Sequence, residues 1–169
     1  MAIHTIIYLP DPRLRLKSSK IEQFDDTLQT LIDDMFDTMY AAKGVGLAAP
    51  QIGINVCLSV IDVIGDKTQP LVLINPEIIA SHGQTSYQEG CLSVPGTFDT
   101  VIRAERVTVR ALDRFGKSFE LTADGLLGEC LQHEIDHLNG KLYIDLLSPL
   151  KRIMARKKLE KFKREQARQ

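Results

Sequence analysis

The sequence predicts an α+β fold, with antiparallel or mixed β-sheets around a central helix and a further helix at the C-terminus. Three observations lead there. Segments 25–43 and 124–140 carry apolar residues three or four apart, several short β-branched runs cluster between them, and the links joining those runs rarely have room for the crossover helices of a parallel sheet. With 169 residues, 44% of them apolar and 25% charged, the chain is sized for one domain with a real core. Disorder and a disulfide scaffold both fit this composition poorly.

In chain order, Leu28, Leu31, Ile32, Met35, Met39 and Tyr40 share one face of segment 25–43 while Asp33, Asp34 and Asp37 hold the other, so the spacing predicts an amphipathic helix stopped by Gly44. Residues 55–63 and 71–74 are apolar runs bounded by Gly, Pro and Asn and read as strands. Residues 101–112 alternate, and 113–117 supply a turn into 118–121, which predicts a strand pair. A second helix starts near Asp124 and stops at Gly140, with Leu127, Leu131, Ile135 and Leu138 as its core stripe, and a third starts at Pro149. No internal repeat is present.

The formal net charge of −1 conceals an asymmetry. Residues 148–169 hold nine Lys or Arg against Glu160 and Glu165, a balance of +7, which leaves twelve basic and twenty acidic residues, or −8, in the remainder. An acidic body therefore carries a basic tail, within which Leu150, Ile153, Met154, Leu159 and Phe162 give a partial apolar stripe. No signal-peptide pattern opens the sequence and no apolar run reaches the ~18 residues of a membrane span, so a cytoplasmic protein is expected, with no membrane partner. Cys57, Cys91 and Cys130 cannot all pair with one another, so reduced thiols are expected.

The sharpest chemical signal is His133-Glu134-Ile135-Asp136-His137 on the second predicted helix. Residues four apart share a helix face, so two imidazoles can converge on one metal ion with the intervening Glu beside them as a general base. The bland alternative is a helix carrying two solvated histidines. A catalytic site also needs a third protein ligand. A metzincin would supply His where Tyr143 stands, and a thermolysin-like enzyme would draw on Glu160 or Glu165, which intrahelical pairing with Lys and Arg explains more simply. Cys130 lies seven residues, about 10.5 Å of helix rise, from His137 and is too distant to share its ion. Cys91, in Glu89-Gly90-Cys91-Leu92-Ser93, remains as a candidate, set against a small buried thiol. The segment Gly44-Val45-Gly46-Leu47-Ala48-Ala49-Pro50-Gln51 has dinucleotide-fingerprint lettering but follows a helix and precedes a strand, which reverses the required context. Its glycines permit close backbone approach to a ligand, and Gln51 offers an amide donor.

These three segments, in this order, resemble the three signature motifs of the peptide deformylases, and the similarity runs along nearly the whole chain. The resemblance implies a metallohydrolase that removes the N-formyl group from the initiator methionine of new polypeptides and releases formate. It further implies Cys91, His133 and His137 as metal ligands, Glu134 as acid and base, and Gln51 with the Leu92 N–H as oxyanion donors. Substrate contacts are expected from Gly46, Val45, Glu89 and Leu126, with Glu89 paired to Arg103 behind the site. The implied ion is Fe(2+), one per chain, for which Zn(2+) or another divalent metal can substitute. Three positions depart from the familiar pattern: Phe98 stands near the pocket mouth where a relative has Arg, Glu129 replaces an apolar residue near the methionine pocket, and Lys43 stands in the Gly-rich loop at a place where relatives can carry an acidic residue.

On this reading residues 1–147 form the catalytic domain and 148–169 a basic helical extension of it. The partners are formyl-methionyl nascent peptides and, through the basic helix, the ribosome; no DNA is expected, and the chain is a monomer. Removal of residues 152–169 is expected to spare activity on small peptides while weakening ribosome binding. Two other readings are a zinc endopeptidase of another zincin type, resting on the histidine motif alone, and a metal-stabilised RNA-binding module, which the −8 body disfavours.

Overall fold

The computed structural model describes residues 2–168. Helix α1 spans Asp26–Ala41 and is capped by Asp25, whose carboxylate accepts from the Leu28 N–H at 3.0 Å. Leu28, Ile32, Met35 and Met39 form its buried face, as their spacing predicts. Its end differs in one detail. The left-handed residue is Lys43 (φ 58°), and the Gly44 N–H bonds back to the Met39 carbonyl while the Lys43 N–H bonds to Tyr40, a Schellman closure with lysine at the position glycine normally fills.

Strands β1 (Gly46–Ala48), β2 (Leu58–Ile61), β3 (Leu71–His82), β6 (Arg106–Leu112) and β7 (Ser118–Ala123) form one sheet in the order β1-β2-β3-β6-β7, and β4 (Thr85–Cys91) and β5 (Val94–Arg103) form a separate hairpin. Every strand pair is antiparallel, and a lone parallel bridge joins Ser19 to Val56. Strand 55–63 proves shorter than its apolar pattern, whereas the strand starting at Leu71 runs eight residues past Ile74. It does so by a register shift at Asn75-Pro76, where Asn75 takes a positive φ and its side chain bonds both the N–H and the carbonyl of Ile21 at 2.9 Å.

The run 101–112, continuous in sequence, is divided between the two sheets. Ala104 lies at the crossing, where ladder pairing lapses, and the Gln132 carboxamide accepts from its N–H and donates to its carbonyl, both at 3.0 Å. One side chain thus replaces the missing strand partner and ties the crossing to the central helix.

That helix, α2 (Gly125–Leu138), is buried on two sides. Leu131 and Ile135 pack on Val107, Val109 and Ala111 of β6, while the buried His137 meets Cys91 of the β4/β5 hairpin and the buried Glu134 faces Gly46 of β1. The reading of two solvated histidines is therefore excluded. Gly140 (φ 77°) ends the turn after α2 against the Arg15 carbonyl oxygen, where a Cβ would collide.

The C-terminal helix α3 spans Pro149–Ala167, with Ser148 as its cap. Its apolar stripe divides: Leu150, Ile153 and Met154 are exposed, while Ala155 (1%) and Leu159 (3%) sit in one core cluster with Leu9, Val94, Val101 and Tyr143. Lys163 Nζ donates to the Leu9 carbonyl, and the Phe162 ring meets Tyr8 edge-on at 6.1 Å. Cutting at residue 152 would therefore open the core, so a truncated chain does not isolate the tail from the body as the sequence suggested. Leu159→Ala is expected to cost about 2 to 5 kcal/mol, read as a lowered thermal midpoint. A midpoint equal to that of the wild type would mean that α3 is not docked.

Candidate metal centre and cleft

Three polar side chains that sequence separates by as many as 46 residues meet at one point. Cys91 closes β4, and His133 and His137 stand one turn apart on α2. Cys91 Sγ lies 3.3 Å from His137 Nε2, which lies 3.2 Å from His133 Nε2, and the three donor atoms all fall within 4.8 Å of one another. A tetrahedral ion with bonds of about 2.0 to 2.3 Å has ligand atoms about 3.3 to 3.8 Å apart, so the spacing suits a metal ion.

The surroundings agree. His133 Nδ1 donates to Glu89 Oε1 at 2.8 Å, which leaves Nε2 free for an ion. Burial opposes charge on His133, yet Cys91 and Glu89 raise its pKa well above the ordinary imidazole value, so the pocket strongly favours positive charge at this point. His137, buried and facing His133 and Arg103, is pushed well below its ordinary value and stays neutral. Glu89 is itself held by Arg103, whose Nη2 donates to Oε1 at 2.9 Å and whose Nε donates to Oε2, while Nη1 reaches Asp136 Oδ2 at 2.9 Å. Burial alone would raise Glu89, but its bonds to His133 and Arg103 outweigh that and hold it below the usual carboxylate range.

Glu134 is 4% exposed and lies beside the donor cluster rather than in it. Its Oε1 has no hydrogen-bond partner among the described residues, and burial pushes its pKa up to about 7. Gly46 faces it so closely that a Cβ there would stand 2.5 Å from Glu134 Oε2. Gln51 is fixed from one end, its Oε1 accepting from the Ala48 N–H at 2.9 Å, so its Nε2 points to Ser93 Oγ at 3.1 Å and toward Cys91 Sγ at 3.6 Å. The Leu92 N–H, in the β4/β5 turn, has no acceptor among the described residues.

A cleft of about 550 Å³ opens onto these groups, with Val45, Gly46, Gln51, Glu89, Cys91, Leu92, His133 and Glu134 in its walls. Leu126 is not among them. It is 49% exposed in the first turn of α2, pointing to solvent from the end away from the histidines. Tyr143, at the metzincin position, is buried and stacks on His133 with ring centroids 6.2 Å apart. Cys130 touches the cleft but lies outside the donor cluster, and burial pushes its thiol up. Glu160 and Glu165 are exposed on α3. Sequence reasoning missed Ser93 and Asp136, whose roles come from contacts across the hairpin and helix.

The polypeptide deformylase family model matches residues 3–153. Relatives named peptide deformylase include one from Azotobacter vinelandii, 57% identical over 162 residues covering 95% of this chain and 96% of that protein. Another, from Xylella fastidiosa, is 54% identical over 167 residues covering 97% and 98%. The chain belongs to the polypeptide deformylase family. Solved structures carry the same likeness: a peptide deformylase from Legionella pneumophila superposes with a TM-score of 0.98 at 68% identity over 99% of both chains. One from Ehrlichia chaffeensis in complex with actinonin gives 0.89 at 40% over 98% of both.

Within this deformylase fold, the three departures from the familiar pattern all line the cleft. Lys43 occupies the left-handed position after α1, Glu129 stands one turn before His133, and Phe98 is 66% exposed with its ring lying over Gly90. None touches the donor atoms. No helix among the described residues is long and apolar enough to cross a membrane.

Proposed function

We propose that the protein is a peptide deformylase, hydrolysing the formamide C–N bond at the N-terminal formyl-methionine of new polypeptides to give formate and a free amine. The observation that carries this reading is the convergence of Cys91, His133 and His137 beside a buried, unpartnered Glu134 carboxylate in an open cleft. Cys91, His133 and His137 would hold a divalent ion, read here as Fe(II) with Zn(II) or another divalent metal able to substitute, since one thiolate and two imidazoles suit both. When bound, such an ion supplies Lewis acidity and brings the pKa of water from 15.7 toward neutrality. Glu134, with a pKa near neutrality, takes a proton from the attacking water and returns it to the leaving nitrogen. Gln51 Nε2 and the Leu92 N–H donate to the oxygen on which negative charge develops, and a donor of this type is worth about 2.7 to 4 kcal/mol. Gly46 and Val45 line the path of the substrate backbone, and Glu89 orients His133.

The test is formate release from formyl-Met-Ala-Ser by protein purified without oxygen, with its metal content measured on the same sample. Chelation is expected to abolish release and Fe(II) to restore it. Internal peptide-bond cleavage without formate would overturn the reading in favour of a zinc endopeptidase. Gly46→Ala is expected to lower kcat roughly tenfold to a hundredfold, because the new Cβ displaces the Glu134 carboxylate. An unaltered kcat would show that Glu134 tolerates the shift.

The same reading places the protein in the cytoplasm as a monomer that meets its substrate at the ribosome. Support comes from α3, whose exposed face carries Lys151, Arg156, Lys157, Lys158, Lys161 and Arg164, a charge pattern suited to RNA phosphates. Neutralising Lys157, Lys161 and Arg164 together leaves the Leu159 contact intact and is expected to weaken salt-sensitive co-sedimentation with ribosomes. Binding that ignores both salt and these charges would count against it.

A further inference from the structure

The two groups assigned to the developing negative charge come from segments that no sheet joins. Gln51 lies in a short helical turn, Ala49–Ile52, that follows β1, and Leu92 lies in the β4/β5 turn; β1 and β4 belong to different sheets. Such a donor pair works only if both N–H groups reach one oxygen, so the two segments must be fixed against each other. One link is made by side chains, from Gln51 Nε2 to Ser93 Oγ at 3.1 Å. The main chain supplies a second through residues 6–9, which belong to no helix or strand. There the Ile7 N–H donates to the Gln51 carbonyl at 2.8 Å, and the Leu9 N–H donates to the Ser93 carbonyl at 3.0 Å.

Donors two residues apart lie about 7 Å apart along an extended chain and leave from the same edge, so this stretch spans the two segments with a fixed reach. Its side chains alternate accordingly. Ile6 and Tyr8 line the cleft, whereas Ile7 and Leu9 pack in the core cluster of Val94, Val101 and Tyr143. Both ends are anchored: upstream the His4 N–H donates to Thr38 Oγ1 of α1 at 2.9 Å, and downstream Lys163 Nζ of α3 donates to the Leu9 carbonyl. We propose that Ile7 and Leu9 are positioning residues whose main-chain N–H groups clamp the Gln51 turn to the β4/β5 turn and so set the spacing of Gln51 Nε2 and the Leu92 N–H around the substrate oxygen. The proposal rests on the deformylase reading above.

Amide-to-ester replacement removes one N–H and leaves every side chain in place. Made at Ile7 in the full, metal-loaded chain, it is expected to lower kcat for formyl-Met-Ala-Ser roughly fivefold to fiftyfold, with KM changed less than about twofold. An ester at Leu9 should act in the same direction. One at Tyr8, whose N–H has no acceptor among the described residues, should leave kcat unchanged. In a Gln51→Ala background the Ile7 ester should cost less than about twofold, because the donor it positions is gone. A further readout needs no turnover: a peptide phosphonate, whose tetrahedral anion imitates the charged intermediate, should bind the Ile7 ester more weakly by a factor similar to the loss in kcat, while Met-Ala-Ser binds both proteins equally.

An unchanged kcat for the Ile7 and Leu9 esters would overturn the proposal, as would an equal loss at Tyr8 or an undiminished loss in the Gln51→Ala background. So would an ester that unfolds the chain under assay conditions, since residues 6–9 would then hold the fold rather than the donors. Failure of the wild type to release formate is a different result, which would overturn the deformylase reading itself.

Discussion

Replacing Glu134 with alanine is expected to lower kcat for formate release by roughly a hundredfold to ten-thousandfold, with metal content equal to that of the wild type. Position and charge give the reason. Glu134 is buried beside the donor cluster but contributes no atom to it, so its removal takes away a proton acceptor and no ligand. The native carboxylate, raised to about 7 by burial, changes protonation close to neutral pH, where it can both accept and return a proton. Glu134→Gln keeps the volume beside Gly46 and should lose turnover to a similar degree, which separates proton transfer from packing. Substantial turnover in both variants would remove Glu134 from the acid–base role.

Arg103→Met is expected to destabilise the fold by about 3 to 5 kcal/mol. It strands Glu89, a carboxylate 3% exposed, and also frees Asp136. For a chain of this size each kcal/mol moves the thermal midpoint by roughly 2 to 4 °C, so a large drop is readable by calorimetry. The same change should weaken metal binding roughly tenfold to a hundredfold, because an unanchored Glu89 no longer fixes His133 Nδ1. Combining it with Glu89→Gln removes the orphaned charge and should recover part of the stability without recovering the affinity. Recovery of both together would mean that Glu89 does not orient the imidazole.

Much of the fold was legible in sequence where local periodicity and burial coincide. Leu28, Ile32, Met35 and Met39 lie four, three and four apart and are buried together. The turn at 113–117 likewise joins β6 and β7 as its composition predicts, with the Asp113 N–H bonded to the Lys117 carbonyl. Where a neighbour distant in sequence decides, the local pattern fails. Nothing in 101–112 marks Ala104 as the point where the chain leaves one sheet for another, since the deciding group is the Gln132 carboxamide on α2. Nor does the apolar stripe of α3 distinguish Leu159, which is buried, from Leu150, which is not; contact with the hairpin makes the difference.

The candidate site divides in the same way. His133, Glu134 and His137 follow from helix geometry, because residues four apart on one helix face are neighbours in any context. The membership of Cys91 was open on spacing alone and rested on a family resemblance. Only the hairpin that ends β4 against α2 brings its sulfur within 3.3 Å of His137. The tertiary structure likewise assigns Ser93 to Gln51 and Asp136 to Arg103, and turns Leu126 out to solvent. The sequence by itself determined the helical half of this chemistry, His133, Glu134 and His137, since that depends on residue types at short, fixed helical spacings. The tertiary structure decided which groups are buried and paired around that chemistry, because burial and pairing depend on contacts between segments that no local pattern encodes.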